Sequence, residues 1–144
     1  MIRRLEQKDR DVYLSMAHDF YAGDAVDHPV PDAFLEATFE ELMQGTPYAE
    51  CWIFEEDGTV QGYALLAKTW SQEAGGLTVW IEELYVQPAF QGRGIGQEFF
   101  RFLKENVQPA RFRLETEPHN DRAKALYMRQ GFRPLHYESF ILGE

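Results

Sequence analysis

The feature that most constrains this chain is the glycine-rich turn "QGRGIG" at residues 91–96. The segment "WIEELYV" before it is apolar and rich in strand-forming residues, whereas "QEFFRFLKEN" after it repeats apolar residues at helical spacing. Glycine at 92, 94 and 96 permits positive φ and removes the Cβ atoms that would keep a ligand away from the backbone. The turn is therefore either an ordinary connection from strand to helix or a phosphate site at a helix N-terminus.

Two common phosphate-binding motifs do not fit this turn. The dinucleotide pattern GxGxxG requires glycine at position 97, which is Gln97. The Walker A pattern requires a lysine followed by serine or threonine, and the turn contains no lysine. What remains is Gln-x-x-Gly-x-Gly followed by a helix whose first N–H groups have no partner inside the helix.

Apolar periodicity and turn residues predict alternating helices and strands along the rest of the chain. The pair "DG" between two β-rich runs indicates a hairpin, and Asn120 and Gly131 are typical of the start and end of a helix. In chain order we expect a strand at "MIRRL", a helix ending near Tyr21, a helix after Asp32, hairpin strands at roughly 49–54 and 60–68, a strand "LTVWIEELYV", a helix from Gly94, a strand "ARFRLETE", a helix "NDRAKALYMRQGF" and a last strand "RPLHYESFIL".

This order, β-α-α-β-β-β-α-β-α-β, predicts a mixed α+β fold with a largely antiparallel sheet flanked by helices. The 144 residues suit one domain, residues 1–144. Hydrophobic residues at 44% and charged residues at 26% are typical of soluble proteins. We expect no membrane span and no secretory signal, and therefore a cytoplasmic protein.

Charge and cysteine content exclude several classes of function. A net charge of −10 disfavours binding to nucleic acid and favours a cationic partner. Cys51 is the only cysteine and falls in a predicted core strand, so we expect neither a disulfide nor acyl transfer through a cysteine. The four histidines show no metal-binding spacing, and we expect no metal.

Three segments together resemble the GNAT N-acyltransferase superfamily. "QGRGIG" is similar to its motif Q/R-x-x-G-x-G/A, "IEELYVQP" resembles its fourth strand, and "NDRAKALYMRQGF" resembles its helix N-x-x-A-x-x-L-Y-x-x-x-G-F. The resemblance implies acetyl-CoA as cofactor, with pyrophosphate at the turn and the pantetheine arm beside a bulged fourth strand. The residues it implies for cofactor binding are Leu84, Tyr85, Val86, Gln91, Gly92, Arg93, Gly94, Ile95, Gly96, Gln97 and Asn120.

Acetyl transfer to an amine requires a base, for which Glu82 and Glu83 are the candidates. Adjacent strand residues point to opposite faces, so one of the two is expected to face the acceptor unless a bulge re-aims the other. We favour Glu82 because it shares a face with Trp80. The resemblance assigns Tyr127 as the acid for the leaving thiolate, although an aromatic residue there could simply pack on the sheet.

The acceptor is expected to be a primary amine of a small molecule or peptide. Tyr21 and Asp24, in the loop "YAGDAVDHPVPD", suit an ammonium group, as does the ring of Trp80, but the same loop composition is also typical of a solvated surface. The chain is short after Gly131, which leaves the acceptor side open or completed by a second subunit in a homodimer. A non-catalytic acyl-CoA sensor with the same turn is the alternative function.

Overall fold

The computed structural model describes residues 1–23 and 29–143. Besides two 3-10 turns, this part of the chain forms five strands and four α-helices. They are β1 (Ile2–Arg4), α1 (Arg10–Ala22), α2 (Asp32–Gln44), β2 (Ala49–Glu56), β3 (Thr59–Ser71), β4 (Gly76–Val86), α3 (Ile95–Asn106), β5 (Arg111–Leu114) and α4 (Asp121–Arg129).

The strands form one sheet in the order β1-β2-β3-β4-β5, antiparallel except for the parallel pair β4–β5. The hairpin between β2 and β3 turns at Asp57 and Gly58, both with positive φ, which matches the strong hairpin tendency of an Asp-Gly pair. The predicted mixed α+β class is confirmed. No helix within the two described ranges is long and apolar enough to cross a membrane.

Helices cover both faces of the sheet. On one face, Tyr13 of α1 packs against Phe39 of α2 and Tyr63 of β3, with ring centroids 5.9 Å and 5.3 Å apart. On the other face, Phe99 and Phe100 of α3 are fully buried. Burial of one such side chain contributes about 1.5–3 kcal/mol, so aromatic packing fixes the sheet between its two helical layers.

Two irregularities of β4 distinguish it from the other strands. Glu83 is paired with Leu65 but Ile81 with Leu66, so Glu82 is the extra residue of a β-bulge. The pairing of β4 with β5 ends at Ile81, so in the part of the chain that the structure describes the following residues of β4 have no strand partner on that side. The predicted bulge of this strand is confirmed.

The prediction of a last strand at "RPLHYESFIL" is wrong for the described residues. Helix α4 ends as predicted, with Gly131 in positive φ just beyond it, but residues 132–143 form neither helix nor strand. Among residues 1–23 and 29–143 their backbone has no neighbouring strand, and Pro134 has no N–H to donate. A smaller correction concerns α2, where Asp32 lies in the first helical turn and Pro31 takes the N-cap position.

Candidate active site

The glycine turn is shaped as a strand-to-helix connection with an open inner surface. Gly92 and Gly94 both have φ of +79°, and a Cβ added at either position would meet nothing within 4 Å. Gly94 is the N-cap of α3, and its carbonyl accepts the first helical bond from the amide of Glu98 at 3.0 Å. The amides of residues 95–97 therefore have no partner in the helix and carry the positive end of its dipole.

A cavity of about 470 Å³ lies beside this turn, between β4, α3 and α4. Its volume is within the range of small-molecule sites. All of the predicted cofactor residues except Tyr85 and Arg93 line this cavity, and so does Tyr127. The lining residues are Leu84, Val86, Phe90, Gln91, Gly92, Gly94, Ile95, Gly96, Gln97, Asn120, Arg122, Ala123, Leu126, Tyr127 and Arg129.

The wall formed by β4 presents backbone groups that point away from its neighbour β3. The amide of Gln87 donates to Gln61 of β3 at 2.8 Å, and alternate residues of a strand bond to the same neighbour. Leu84 and Val86 therefore direct their backbone groups away from β3, on the side where β5 has separated. The side chain of Gln91 donates to the carbonyl of Val86 at 3.0 Å and ties the turn to this strand.

Two predicted cofactor residues lie outside the cavity lining. The side chain of Tyr85 packs on the opposite face of the sheet, 6.0 Å from the ring of Tyr63. The guanidinium of Arg93 lies over the ring of Phe90 at 5.5 Å. The alternation of side chains along β4 explains the first case, because Leu84 and Val86 face the cavity and the residue between them does not.

The wall formed by α4 carries the predicted acid. The side chain of Asn120 accepts a hydrogen bond from the amide of Ala123 at 3.2 Å, which confirms the predicted N-cap. Tyr127, two turns along the helix, is half-buried against Phe100 and Phe132. Burial raises the pKa of Tyr127, so the phenol keeps its proton at neutral pH.

Glu83 is a buried carboxylate held by two phenols. Its two oxygens each accept a hydrogen bond at 2.5 Å, one from Tyr21 of α1 and the other from Tyr63 of β3. Burial raises the pKa of Glu83, while the hydrogen bonds from the two tyrosines act in the opposite direction. The group is therefore oriented and enclosed, with both oxygens already engaged.

Glu82, the bulge residue, is exposed. Desolvation of its carboxyl group and the charge of Glu115 raise the pKa of Glu82. Its own charge contributes to the raised pKa of Tyr21, after the larger effects of burial and Glu83. Glu82 is thus the accessible carboxylate of the pair, two residues from the cavity residue Leu84.

Of the predicted acceptor residues, Tyr21 and Trp80 lie on the side of the sheet that α1 covers. Trp80 donates from Nε1 to Thr69 at 3.1 Å, and the guanidinium of Arg113 lies 4.4 Å from its ring centroid. Tyr21 contacts Glu83 as described above, and Asp24 lies outside the described residues. Cys51 is 2% exposed in the core, and burial raises the pKa of its thiol, which agrees with the expectation that it is not a nucleophile.

Comparison with known proteins identifies the family. The model of the acetyltransferase (GNAT) family matches residues 11–132. The chain belongs to the GNAT acetyltransferase family. It is 27% identical over 157 aligned residues, covering 99% of this chain and 90% of the relative, to an uncharacterised N-acetyltransferase from the pepI 3′ region of Lactobacillus delbrueckii subsp. lactis.

Solved GNAT structures share the fold. A possible acetyltransferase from Clostridium difficile 630 superposes with a TM-score of 0.83 at 20% identity, covering 100% of this chain and 97% of the other. AAC(6')-Iy, an aminoglycoside N-acetyltransferase, superposes with a TM-score of 0.81 at 19% identity, over 100% and 97% of the two chains. That structure contains the bisubstrate analogue CoA-S-monomethyl-acetylneamine, in agreement with the predicted cofactor class.

Sequence reasoning missed several residues of this GNAT cavity, above all Arg122 and Arg129. Both lie on α4, and with Leu126 they occupy positions i, i+4 and i+7 of one helix face. Helical spacing from Asn120 and Tyr127 could have indicated that face. The two guanidiniums add positive charge to a chain that is acidic overall.

Proposed function

We propose that this protein transfers the acetyl group of acetyl-CoA to a primary amine of a small cationic molecule or a peptide. The observation that carries the proposal is the separation of β4 from β5 beside the glycine turn. Because of this separation, one cavity contains both the N-terminus of α3, which suits a phosphate, and a free edge of β4. The net charge of −10 and the carboxylates of Glu82 and Glu115 favour a cationic acceptor.

The cavity residues fit the chemical groups of CoA. The free amides of residues 95–97 suit a pyrophosphate, and the open conformations at Gly92 and Gly94 let it approach the backbone. The outward backbone groups of Leu84 and Val86 suit the amides of a pantetheine arm, which would add to β4 as a strand does. Bound acetyl-CoA would supply the thioester as an activated acetyl donor.

We propose Glu82 as the general base. Its carboxylate is accessible. Its pKa is raised toward neutral pH, which makes it a stronger base than an ordinary glutamate. Glu83 has both oxygens bonded to phenols and is 7% exposed. We assign Glu83 the role of holding the bulge in place rather than that of accepting the proton.

Tyr127 is proposed as the acid on the other side of the reaction. The acceptor nitrogen forms a bond to the acetyl carbon, the carbon–sulfur bond breaks, Glu82 takes a proton from the amine and Tyr127 gives one to sulfur. A backbone amide at Leu84 is proposed to stabilise negative charge on the acetyl oxygen. Tyr127 fits this role because it lines the cavity and its phenol is protonated at neutral pH.

The test is CoA release in the presence of acetyl-CoA and a panel of diamines, aminoglycosides, amino acids and basic peptides. With an acceptor found, Glu82→Gln and Tyr127→Phe should each lower kcat by about 10²–10⁴-fold while leaving CoA affinity within threefold of wild type. Glu36→Gln and Tyr48→Phe are matched controls, because both residues are exposed and distant from the cavity lining.

Different outcomes separate the enzyme from the acyl-CoA sensor. Binding of acetyl-CoA without turnover of any amine would support the sensor. A Glu82→Gln variant with wild-type kcat and an inactive Glu83→Gln variant would move the base to Glu83. Failure to bind CoA at all would refute both functions.

A further inference from the structure

The side chain of Arg113 is held in a fixed position on β5, close to the bulge of β4. Arg113 is paired in register with Trp80, and its guanidinium lies over the indole at 4.4 Å from the ring centroid. The indole is itself fixed, because its Nε1 donates to Thr69 of β3 at 3.1 Å. Side chains of three neighbouring strands therefore orient the guanidinium.

The preceding arginine of the same strand provides a contrast. Arg111 lies two residues earlier on the same face of β5 and donates to Glu73 at 3.0 Å. Arg113 makes no hydrogen bond or ion pair with a carboxylate among residues 1–23 and 29–143, although the chain has 24 acidic residues against 14 basic ones. The indole covers one face of the Arg113 guanidinium, and the N–H donors in the guanidinium plane remain available for a ligand.

Two carboxylates lie just beyond Arg113, where β4 and β5 separate. Glu82 is the bulge residue of β4, and Glu115 follows the last residue of β5. Both are exposed. They are close to each other, because the charge of Glu115 contributes to the raised pKa of Glu82, after the larger effect of desolvation. One surface thus offers two carboxylates at one end and a guanidinium at the other.

The strand geometry sets the distance between these two ends. Arg113 lies opposite Trp80, and Glu82 is two residues further along β4. With ~3.3 Å per residue along a strand and ~4.8 Å between strands, the Cα atoms of Arg113 and Glu82 are roughly 8 Å apart. An extended alkyl chain of about six bonds, each ~1.5 Å long, spans this distance.

We propose that the acceptor is an amino carboxylate, with its reacting amine at Glu82 and its carboxylate bound by Arg113. This inference rests on the proposed acetyl transfer, and it narrows the acceptor to primary amines that carry a carboxylate about six bonds away. A carboxylate matches a single guanidinium through two parallel hydrogen bonds. A doubly charged phosphate would be repelled more strongly by Glu82 and Glu115.

The same arrangement changes the role of Trp80. Arg113 already covers one face of its ring, so that face does not receive the ammonium group of the acceptor. Trp80 is instead a positioning residue that holds the guanidinium, and Arg113 is the residue that determines specificity.

Lysine and cadaverine test the proposal, because the two amines differ only by the carboxylate. For the wild type, kcat/KM should be about 10–100-fold higher with lysine, the factor expected for one charge-assisted hydrogen-bonded contact. Arg113→Gln should raise KM for lysine and lower the ratio of the two kcat/KM values to about one. Arg111→Gln is the matched control and should keep the wild-type ratio, because Arg111 is already paired with Glu73. Circular dichroism should show that both variants are folded.

Calorimetry of the two amines with the CoA-loaded chain separates this proposal from acetyl transfer itself. Tighter binding of lysine that is lost in Arg113→Gln, without turnover of either amine, would support the carboxylate site and refute acetyl transfer. Turnover of amines without a preference for lysine would refute the carboxylate site alone. A preference that survives Arg113→Gln, an equal loss for both amines in that variant, or no binding of lysine to the wild type would each overturn the proposal.

Discussion

Removal of one phenol from the buried carboxylate should show how the bulge of β4 is held. In Tyr63→Phe, Glu83 loses the hydrogen bond to one oxygen but keeps that from Tyr21 to the other. Tyr63 is fully buried and Glu83 is 7% exposed, so water cannot easily take the place of the lost hydroxyl. A hydrogen bond to a charged group contributes about 1.5–3 kcal/mol, and we expect a loss of about 2 kcal/mol near pH 8.

The effect should depend on pH. The folded pKa of Glu83 is raised above its ordinary value, so the stability linked to this group is fully present below the unfolded pKa. It is lost as pH rises through the folded pKa. Tyr63→Phe removes a hydrogen-bond donor that stabilises the ionised carboxylate of Glu83. The loss of folding stability should therefore be larger when Glu83 is ionised than when it is protonated. Near pH 4, where Glu83 is protonated, we expect a loss of about 1 kcal/mol or less.

Urea denaturation of wild type and variant at the two pH values measures this difference. Tyr85→Phe is the matched control: Tyr85 packs on Tyr63 but is only partly buried, so its loss should stay below about 0.5 kcal/mol at both pH values. An equal loss for Tyr63→Phe at pH 4 and pH 8 would show that the hydroxyl does not support a buried charge, and the reasoning would fail.

Three further predictions concern the cofactor cavity. Gly94→Val should weaken CoA binding at least tenfold by calorimetry, because a branched side chain strains the positive φ and enters the cavity; Gly45→Val, at a similar φ of +85° in a distant turn, should cost similar stability and leave affinity unchanged. Acetyl-CoA at about 100 times its Kd should raise the free energy of unfolding by about 2.7 kcal/mol in a thermal shift analysis, and no shift would contradict the cavity assignment. Asn120→Ala should destabilise the fold by about 1 kcal/mol in urea through loss of the α4 cap, and an unchanged midpoint would refute that role.

Local chemistry made much of the fold predictable. The Asp-Gly pair specified the hairpin, the alternate glycines specified the turn into α3, and Asn120 and Gly131 marked the two ends of α4. These features depend on neighbouring residues alone. Most of the predicted cofactor residues line the cavity because they lie on β4, in the turn and on α3 and α4.

Features that depend on tertiary pairing were harder to predict. The segment after Gly131 has strand-like composition, but a strand requires a neighbour, and the sequence does not state whether the same chain supplies one. The phenol contacts of Glu83 bring together residues from α1 and β3 that lie 62 and 20 positions away.

The single extra residue in β4 changes which face of the sheet the following side chains occupy. Without the bulge, Ile81 and Glu83 would point to the same face, and a carboxylate would enter the apolar layer against α3. With it, Ile81 packs among the residues around Phe99 while Glu83 reaches Tyr21 and Tyr63 on the opposite face. Leu84 and Val86 then face the cavity, so the same register shift that buries Glu83 also aims the free edge of β4 at the proposed thioester.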